Sequence, residues 1–352
     1  MTAIDDFGGW PALLTMLLDR HHLTADQAHA AMSTILGGDA TPAQLIGFVV
    51  ALRSKGESAE ELSGLLDAVL EAAELVPLSD ELRAAAIDIV GTGGDGSSSI
   101  NVSTMASIVV AGAGVPVCKH GARAASSRCG TADVLEALGV VVELTPNGVR
   151  QCVERAGIGF CFAPRFHPAF RFAAPSRREI GIPTVFNLLG PMANPGRVRR
   201  QLIGVANPNY AERMLQSLRH HGSTDAWVVH GNGLDELSTT GPSSVLALRD
   251  GEVEHFEVDA GSIGLPVAVK ADLAGGEPHE NAGAVRRMLD GVRGPHRDIV
   301  VLNAAAALIV AGHAESLADG AEQAAAAIDS GRAAETLDAF VRESRAAADA
   351  AS

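Results

Sequence analysis

Cysteine is scarce in this sequence of 352 residues, and its spacing gives no sign of a structural zinc site. The four cysteines, Cys118, Cys129, Cys152 and Cys161, have neither C-x-x-C spacing nor accompanying histidine pairs. We therefore expect reduced, mostly buried thiols and a cytoplasmic location. The N-terminus also lacks a basic segment followed by an apolar run, so no signal peptide is expected.

Positive charge is also in short supply, with 27 lysines and arginines against 42 acidic residues and a formal net charge of -15. Nucleic acids and anionic membranes are bound through basic patches, so we predict neither as a partner. An anionic substrate would need lysines and arginines placed locally. The most apolar window, residues 299–311, is shorter than a bilayer span and is expected to be a core helix.

The pattern of apolar residues predicts a small N-terminal helical domain and a larger α/β domain with a mainly parallel central sheet. Residues 1–86 have helical spacing throughout, with helix starts at Thr24, Thr41 and Ser58. From residue 87 to 352, predicted strands and helices alternate, and a strand is expected at 140–144. Residues 168–195 interrupt the alternation because they are rich in proline, arginine and asparagine.

The first candidate site is residues 88–104, DIVGTGGDGSSSINVST. An apolar strand leads into four glycines and several hydroxyls, and a helix follows with Ser103 or Thr104 as its expected N-cap. Glycines let backbone N–H groups approach an anion, and the helix N-terminus favours negative charge. We therefore predict a phosphate-binding loop. The alternative is a plain glycine turn between strand and helix that binds no ligand.

Two familiar phosphate motifs fit this loop less well. The spacing of Gly91, Gly93 and Gly96 matches G-x-G-x-x-G, but a dinucleotide site also needs an acidic residue at the end of the next strand. The next predicted strand ends instead in Lys119 and His120, which suit another phosphate. A P-loop would end in G-K-[ST], which is absent.

The second candidate site follows that strand, in residues 119–133, KHGARAASSRCGTAD. It has three cations, two adjacent serines and an expected helix start at Thr131. In so acidic a chain, this concentration of positive charge favours a second anion site over a solvated loop.

The third candidate site supplies a pair of carboxylates, and the fourth supplies an arginine, Arg177, next to Arg178. Asp235 and Glu236 follow a predicted strand, where ligands bind in α/β proteins, and with Ser103 they offer oxygen ligands for Mg²⁺. In the proline-rich segment, Arg177 is suited to grip a carboxylate through two hydrogen bonds. His167, before a proline, is either structural or a ligand-binding residue.

Together these four sites resemble the anthranilate phosphoribosyltransferases, which belong to a family shared with the pyrimidine nucleoside phosphorylases. The resemblance spans nearly the whole chain, including the N-terminal segment LRSKGE at residues 52–57. It implies a helical domain of residues 1–86 joined by helices from about 168–195, an α/β donor-binding domain of residues 87–352, and a homodimer packed through the helical domains.

The resemblance further implies a Mg²⁺-dependent reaction of tryptophan biosynthesis. Phosphoribosyl passes from 5-phosphoribosyl 1-diphosphate to the amine of anthranilate, and diphosphate is released. No dedicated catalytic side chain is implied. The implied donor-binding residues are Gly91, Gly94, Asp95, Ser99, Asn101, Ser103, Thr104, Lys119, Ser127 and Thr131. The implied acceptor-binding residues are Gly91, Ala122, His167 and Arg177, and the implied metal ligands are Ser103, Asp235 and Glu236.

One departure from the family pattern affects the acceptor. The family has Lys-His-Gly-Asn where this chain has Ala122 in the fourth position, so one polar contact to anthranilate is missing. His120, Arg165 or a water molecule would have to compensate. A different aromatic acceptor is the alternative. A nucleoside phosphorylase is disfavoured by Asp95 and by the Lys119-His120-Gly121 motif. A catalytically weak nucleotide- or nucleic-acid-binding relative is disfavoured by the net charge and the intact carboxylates.

Overall fold

A central sheet of seven strands organises the structure, a computed structural model that describes residues 3–124 and 128–351. The strands are β1 (Ile87–Gly91), β2 (Val117–Gly121), β3 (Ile158–Phe162), β4 (Arg200–Gly204), β5 (Asp225–Gly231), β6 (Ser243–Arg249) and β7 (Glu252–Val258). Their order is β3-β2-β1-β4-β5-β6-β7. The first five are mutually parallel, and β6 is antiparallel to both of its neighbours, β5 and β7. The predicted mainly parallel sheet is confirmed.

Helices cover both faces of this sheet. The α-helices of the described residues are α1 (Gly9–Leu18), α2 (Ala25–Gly37), α3 (Pro42–Lys55), α4 (Ala59–Glu71), α5 (Asp80–Ala85), α6 (Val102–Gly112), α7 (Thr131–Leu138), α8 (Pro146–Ala156), α9 (Ala163–Phe166), α10 (Ala174–Ile180), α11 (Val185–Met192), α12 (Ala211–His220), α13 (Pro278–Leu289), α14 (Pro295–Val310), α15 (Leu317–Asp329) and α16 (Arg332–Asp349). Short 3-10 helices lie at Ile4–Phe7, Pro168–Phe172, Pro208–Tyr210, Ala260–Ile263 and Lys270–Leu273.

The N-terminal helices begin where the sequence predicts. Thr24, Thr41 and Ser58 each accept the N–H of the residue three positions on, and a glutamine or glutamate there completes the capping box. Each box satisfies two backbone donors that the first helical turn leaves free. These caps fix the starts of α2, α3 and α4, which form the small N-terminal helical domain.

Two hydrophobic cores lie on opposite faces of the sheet. One joins α1–α4 with α11, α12 and one face of β4 and β5. The other joins α6–α8 and α13–α16 with the opposite face. Residues 185–193 pack in the first core. The assignment of residues 168–195 to the helical domain stays a proposal. The boundary between residues 86 and 87 stays a proposal.

The structure corrects two local predictions. Residues 140–144 are not a strand; the valines at 140 and 142 are buried, and the Val141 N–H is donated to the Ser344 hydroxyl at 3.1 Å instead of to a neighbouring strand. Helix α6 begins at Val102, two residues before the start that a cap at Ser103 would give, with Asn101 at the N-cap. The Asn101 side chain makes no capping bond because it is committed to tertiary contacts.

Strands β6 and β7 form an antiparallel hairpin. Both turn residues, Asp250 and Gly251, have positive φ, as a tight two-residue hairpin requires. None of the helices in the described ranges combines the length and the apolar character that a bilayer crossing requires.

Candidate active site

The carboxyl ends of β1 and β4 lie side by side at the topological switch point of the sheet, where the strand order changes direction. From β1 the chain moves to β2 and β3 on one side, and later to β4 and β5 on the other. Ligands of open α/β sheets bind at such a crevice. Four glycines end these strands here: Gly91, Gly121, Gly204 and Gly231.

The glycine loop, residues 91–101, lies above β1 with an open side. Gly93 and Gly94 have φ values of 66° and 78°, and nothing lies within 4 Å of a Cβ added to either. This left-handed backbone favours glycine, and its open side leaves room for a ligand to approach the main chain. Asp95 folds back to accept the Ser97 N–H at 3.0 Å, and the Ser97 hydroxyl donates to that of Ser99 at 3.2 Å.

The carboxylate pair, Asp235 and Glu236, faces this loop and the start of α6. Asp235 Oδ2 accepts the Gly93 N–H at 2.6 Å, and Glu236 Oε1 accepts the Ser103 N–H at 3.1 Å. Burial and the charge of Asp95 raise the pKa of Asp235 to about 7. Burial and the charge of Asp235 raise the pKa of Glu236 to about 8. Such crowded, half-buried carboxylates are stabilised in their charged form by a cation.

Lys119 brings positive charge to the same place. Its side chain is almost fully buried, and Nζ donates to the Ile89 carbonyl and, at 3.3 Å, to the Ser103 hydroxyl. Burial lowers the pKa of Lys119, while the charges of Asp88, Glu236 and Asp235 oppose that change. The ammonium is therefore held between β1 and the start of α6, within the electrostatic influence of the carboxylate pair.

The segment that follows β2 is tied to the glycine loop from the other side. Asn101 Nδ2 donates to the Cys129 carbonyl at 3.1 Å, and the Thr104 hydroxyl lies 3.4 Å from that of Thr131. The structure thus brings two predicted donor-site residues, Asn101 and Thr104, next to the segment that contains Thr131. Ala122 is exposed immediately after β2. Ser127, a predicted donor-site residue, lies outside the described residues.

The oxygen ligands at this site suit a metal ion whose coordination shell is supplied only partly by the protein. Among residues 3–124 and 128–351, no cluster of three histidine, cysteine or acidic side chains is arranged to hold a metal alone. Mg²⁺ typically takes one or two carboxylates and completes its shell with substrate phosphates and water. Asp235, Glu236 and the Ser103 hydroxyl therefore fit Mg²⁺ that arrives with a diphosphate.

An aromatic stack extends from the end of β2 to Arg177. The rings of His120 and His167 lie 5.0 Å apart, His167 stacks on Phe170 at 5.2 Å, and Phe170 meets Phe186 edge-on at 5.5 Å. The guanidinium of Arg177 lies 4.8 Å from the centre of the Phe186 ring. Within the described chain no carboxylate pairs with Arg177, and burial lowers the pKa of its guanidinium. Arg177 is therefore a half-buried cation without a counter-charge.

Both histidines of the stack are neutral at pH 7. Burial lowers the pKa of His167 to about 4 and that of His120 well below its usual range. His120 Nδ1 faces the Gly190 carbonyl at 3.0 Å and His167 Nε2 faces the Ala193 carbonyl at 2.9 Å, so each of these nitrogens carries the hydrogen. His120 Nε2 and His167 Nδ1 are buried acceptors with no hydrogen-bond donor among the described residues.

Comparison with known proteins shows the family. A model described as "Glycosyl transferase family, a/b domain" matches residues 83–334, and "Glycosyl transferase family, helical bundle domain" matches residues 11–73. The anthranilate phosphoribosyltransferase of Salinispora arenicola is 49% identical over 342 residues, which are 96% of this chain and 97% of that protein. The chain belongs to the anthranilate phosphoribosyltransferase family.

Solved structures of anthranilate phosphoribosyltransferases show the same fold. The enzyme from Thermus thermophilus is 39% identical, with a TM-score of 0.89 over 94% of this chain and 99% of that one. The Saccharomyces cerevisiae enzyme in complex with PRPP and Mg is 29% identical, with a TM-score of 0.86 over 96% and 98% of the two chains. A further structure of the yeast enzyme, 27% identical with the same TM-score and coverage, contains 4-fluoroanthranilate.

Two buried side chains that support the site are not indicated by the sequence. Asp88 accepts the His120 N–H at 3.0 Å and the Asn194 amide at 2.7 Å, and burial raises its pKa to about 6. Asn281 in α13 donates to Asn101 Oδ1 at 2.9 Å. Asp88 lies inside a predicted motif, but its position in the apolar strand gives no sign of these contacts. Asn281 carries no local signal, because its partner is 180 residues away.

Proposed function

We propose that this chain transfers phosphoribosyl from 5-phosphoribosyl 1-diphosphate to the amine of anthranilate, giving N-(5-phosphoribosyl)anthranilate and diphosphate in tryptophan biosynthesis. One observation carries the proposal. The glycine loop, Lys119 and the carboxylate pair meet at one crevice, and the aromatic stack connects that crevice to an unpaired arginine. The site thus offers a place for a diphosphate beside a place for a carboxylate.

The donor half supplies positioning and charge. We assign the phosphoribosyl donor to Gly91, Gly94, Asp95, Ser99, Asn101, Ser103, Thr104, Lys119, Ser127 and Thr131. The backbone N–H groups of the open loop and the N-terminus of α6 suit phosphate oxygens. Lys119 suits the negative charge that grows on the leaving diphosphate. The yeast relative, whose structure contains PRPP and Mg, supports this assignment.

Asp235, Glu236 and Ser103 would hold Mg²⁺ beside the diphosphate. The ion would supply charge neutralisation to the leaving group when bound. Asp235 and Glu236 are kept in place by N–H donors of the two elements that bind the donor, the glycine loop and α6. Any shift of the loop would therefore move the metal ligands with it.

The acceptor half is assigned to Arg177 and His167, with Gly91 and Ala122 at its border. Arg177 would bind the anthranilate carboxylate, a charge-assisted contact that its lack of a counter-charge leaves open. The unpartnered nitrogens of His120 and His167 would accept N–H bonds from the amine. An aromatic amine attacks through its neutral lone pair, so the site needs no nucleophilic side chain. The 4-fluoroanthranilate complex of the yeast relative supports the acceptor class.

The direct test of this function is diphosphate release with a panel of aromatic acceptors. Anthranilate should give Mg²⁺-dependent release with the highest specificity constant. Release with inorganic phosphate and a pyrimidine nucleoside, and none with anthranilate, would instead indicate a nucleoside phosphorylase.

Replacing Arg177 with alanine should raise the acceptor KM far more than the donor KM. A charge-assisted bond to a carboxylate is worth about 1.5–3 kcal/mol, or roughly ten- to a hundredfold in KM. Initial-rate kinetics with each substrate varied would measure both constants. Arg178→Ala is the matched control, because the neighbouring Arg178 is exposed. Equal changes in both KM values would place Arg177 outside the acceptor site.

Ala122 is the residue on which the choice of acceptor depends. Arg165, one predicted compensating group, is held by Glu74 at 2.6 Å, whereas His120 Nε2 remains open. With anthranilate as the native acceptor, Ala122→Asn should change its specificity constant by at most about tenfold, and upwards, since a neutral hydrogen bond contributes about 0.5–1.5 kcal/mol. Specificity constants for anthranilate and ring-substituted analogues, in both proteins, would check this.

A different native acceptor would give a different result with the Ala122 variant. A wild-type protein that does not use anthranilate, and an Ala122→Asn variant that does, would show that the native acceptor is another aromatic compound. In that case the added amide should also lower activity with the true acceptor, because it fills space that the acceptor uses.

Association into a homodimer through the helical domains is part of the proposal. Leu18 in α1 and Val50 in α3 are large apolar residues that are 74% and 41% exposed. Covering such residues removes apolar surface from water, which favours association. A cytoplasmic location stays a prediction.

A further inference from the structure

We propose that Asn303, in the middle of α14, is a positioning residue that sets the place of the carboxylate pair. This inference rests on the proposed Mg²⁺ site. Asn303 is fully buried in a helix whose other buried residues are mostly apolar. A buried amide needs partners for its oxygen and both of its N–H groups.

The partners of Asn303 lie directly beside Glu236. Asn303 Oδ1 accepts the Leu237 N–H at 2.9 Å, and Nδ2 donates to the Leu237 carbonyl at 2.8 Å. The second Nδ2 hydrogen goes to the Ile299 carbonyl within α14, at 2.9 Å. One side chain therefore binds both backbone groups of the residue that follows the carboxylate pair, much as a neighbouring strand would.

The opposite side of the same segment is closed by strand ends. A Cβ on Gly204 would lie 1.6 Å from the Asp235 carbonyl oxygen, and one on Gly231 would lie 2.3 Å from the Glu236 carbonyl oxygen. The backbone of residues 235–237 is thus pressed against β4 and β5 and fixed by the amide of Asn303. The two carboxylates project from it toward Gly93 and Ser103.

These contacts give Asn303 an effect on metal binding as well as on packing. Without the amide, the Leu237 N–H and carbonyl lose their hydrogen-bond partner. The backbone from which the two carboxylates project is then no longer held in one position. Groups that orient metal ligands typically change metal affinity by about ten- to a hundredfold when removed. A residue with only a structural role would lower stability and leave metal affinity unchanged.

The experiment compares Mn²⁺ binding, in the presence of inorganic diphosphate, by electron paramagnetic resonance titration. The proteins are wild type, Asn303→Ala, Asn303→Asp, Ser344→Ala and the double variant Asp235→Asn/Glu236→Gln. Ser344 is the matched control because it is a fully buried polar residue that also binds a backbone N–H, that of Val141, but lies in α16. Asn303→Asp keeps the acceptor for the Leu237 N–H and serves if the alanine variant does not fold.

We expect Asn303→Ala to weaken Mn²⁺ binding by about tenfold or more. Asn303→Asp should weaken it less, and Ser344→Ala should bind like wild type even where its melting temperature falls as far. The apparent Mg²⁺ constant of the reaction should rise in parallel, with little change in the acceptor KM. Wild-type Mn²⁺ affinity in both Asn303 variants, with binding lost in the double variant, would overturn the role of Asn303 alone. Equal binding by wild type and the double variant would overturn the metal site itself.

Discussion

Replacing Asp235 with asparagine and Glu236 with glutamine is expected to abolish Mg²⁺-dependent turnover in a chain that still folds. Loss of metal neutralisation at the leaving diphosphate should cost several kcal/mol of transition-state stabilisation, or roughly a thousandfold or more in kcat. The amide oxygens can still accept the N–H groups of Gly93 and Ser103, so the local shape is retained. The measurement is kcat as a function of Mg²⁺ concentration.

The raised pKa values of the two carboxyls predict the direction in which the same substitutions change stability. Burial raises the pKa of both carboxyls, to about 7 for Asp235 and about 8 for Glu236, so the folded state holds their protons more tightly than the unfolded chain does. In the metal-free protein their charged forms therefore oppose folding, increasingly as pH rises from about 4 and fully above about 8. The amides remove that cost, so the melting temperature of the metal-free variant at pH 8 should not fall below that of wild type.

A control with the same change in charge distinguishes an effect at the site from an effect of the net charge. Glu252 and Glu254 are both exposed on β7. Glu252→Gln with Glu254→Gln should leave turnover and its Mg²⁺ dependence unchanged. Near-normal turnover in the Asp235/Glu236 variant would remove the metal assignment and leave the pair a structural role.

The approach of the glycine loop, Lys119 and the carboxylate pair to one another could be predicted because its signals are local. Parallel strands end at one edge of a sheet, so the glycine loop after β1, Lys119 near the end of β2 and the carboxylate pair after β5 had to approach one another once the alternating pattern was recognised. The contacts of Lys119 with Ser103 and of Gly93 with Asp235 confirm that these segments meet.

The local errors arose where tertiary contacts replaced a local rule. Residues 140–144, VVVEL, have the apolar and β-branched composition of a strand, but the Val141 N–H donates to the Ser344 hydroxyl of α16 instead of to a neighbouring strand. At the start of α6, hydroxyl side chains predicted a cap at Ser103 or Thr104. The chain instead uses Asn101, whose amide is bound to Asn281 and to the Cys129 carbonyl.

The supporting residues could not be predicted because their hydrogen-bond partners lie in distant parts of the sequence. Asn281 and Asn303 lie in α13 and α14, far in sequence from Asn101 and Leu237. Nothing in their own segments distinguishes them from ordinary helix residues. The aromatic stack is similar, since it joins the end of β2 to three separate turns and helices between residues 167 and 186.

The second large effect is expected at Gly204, where alanine should lower both stability and turnover. The new Cβ would lie 1.6 Å from the Asp235 carbonyl oxygen and 2.3 Å from its carbonyl carbon. These are backbone atoms, so no side-chain rotation can relieve the clash, and the segment that carries the carboxylate pair must move. Overpacking of this kind costs about 1–3 kcal/mol. A displacement of about 1 Å in a reacting geometry can lower kcat roughly a hundredfold.

The control for Gly204→Ala is Gly283→Ala in α13. There the added Cβ would meet only the flexible end of Arg287, at 3.3 Å, and a helix-interior glycine replaced by alanine gains about 0.5–1 kcal/mol. Chemical denaturation should show lower stability for Gly204→Ala and higher stability for Gly283→Ala. At saturating Mg²⁺, kcat should fall only in Gly204→Ala. If Gly204→Ala loses stability but keeps the wild-type kcat and apparent Mg²⁺ constant, the carboxylates do not depend on the end of β4 for their position. A loss of kcat that added Mg²⁺ does not restore, with the fold intact, is the result that the contact between β4 and Asp235 predicts.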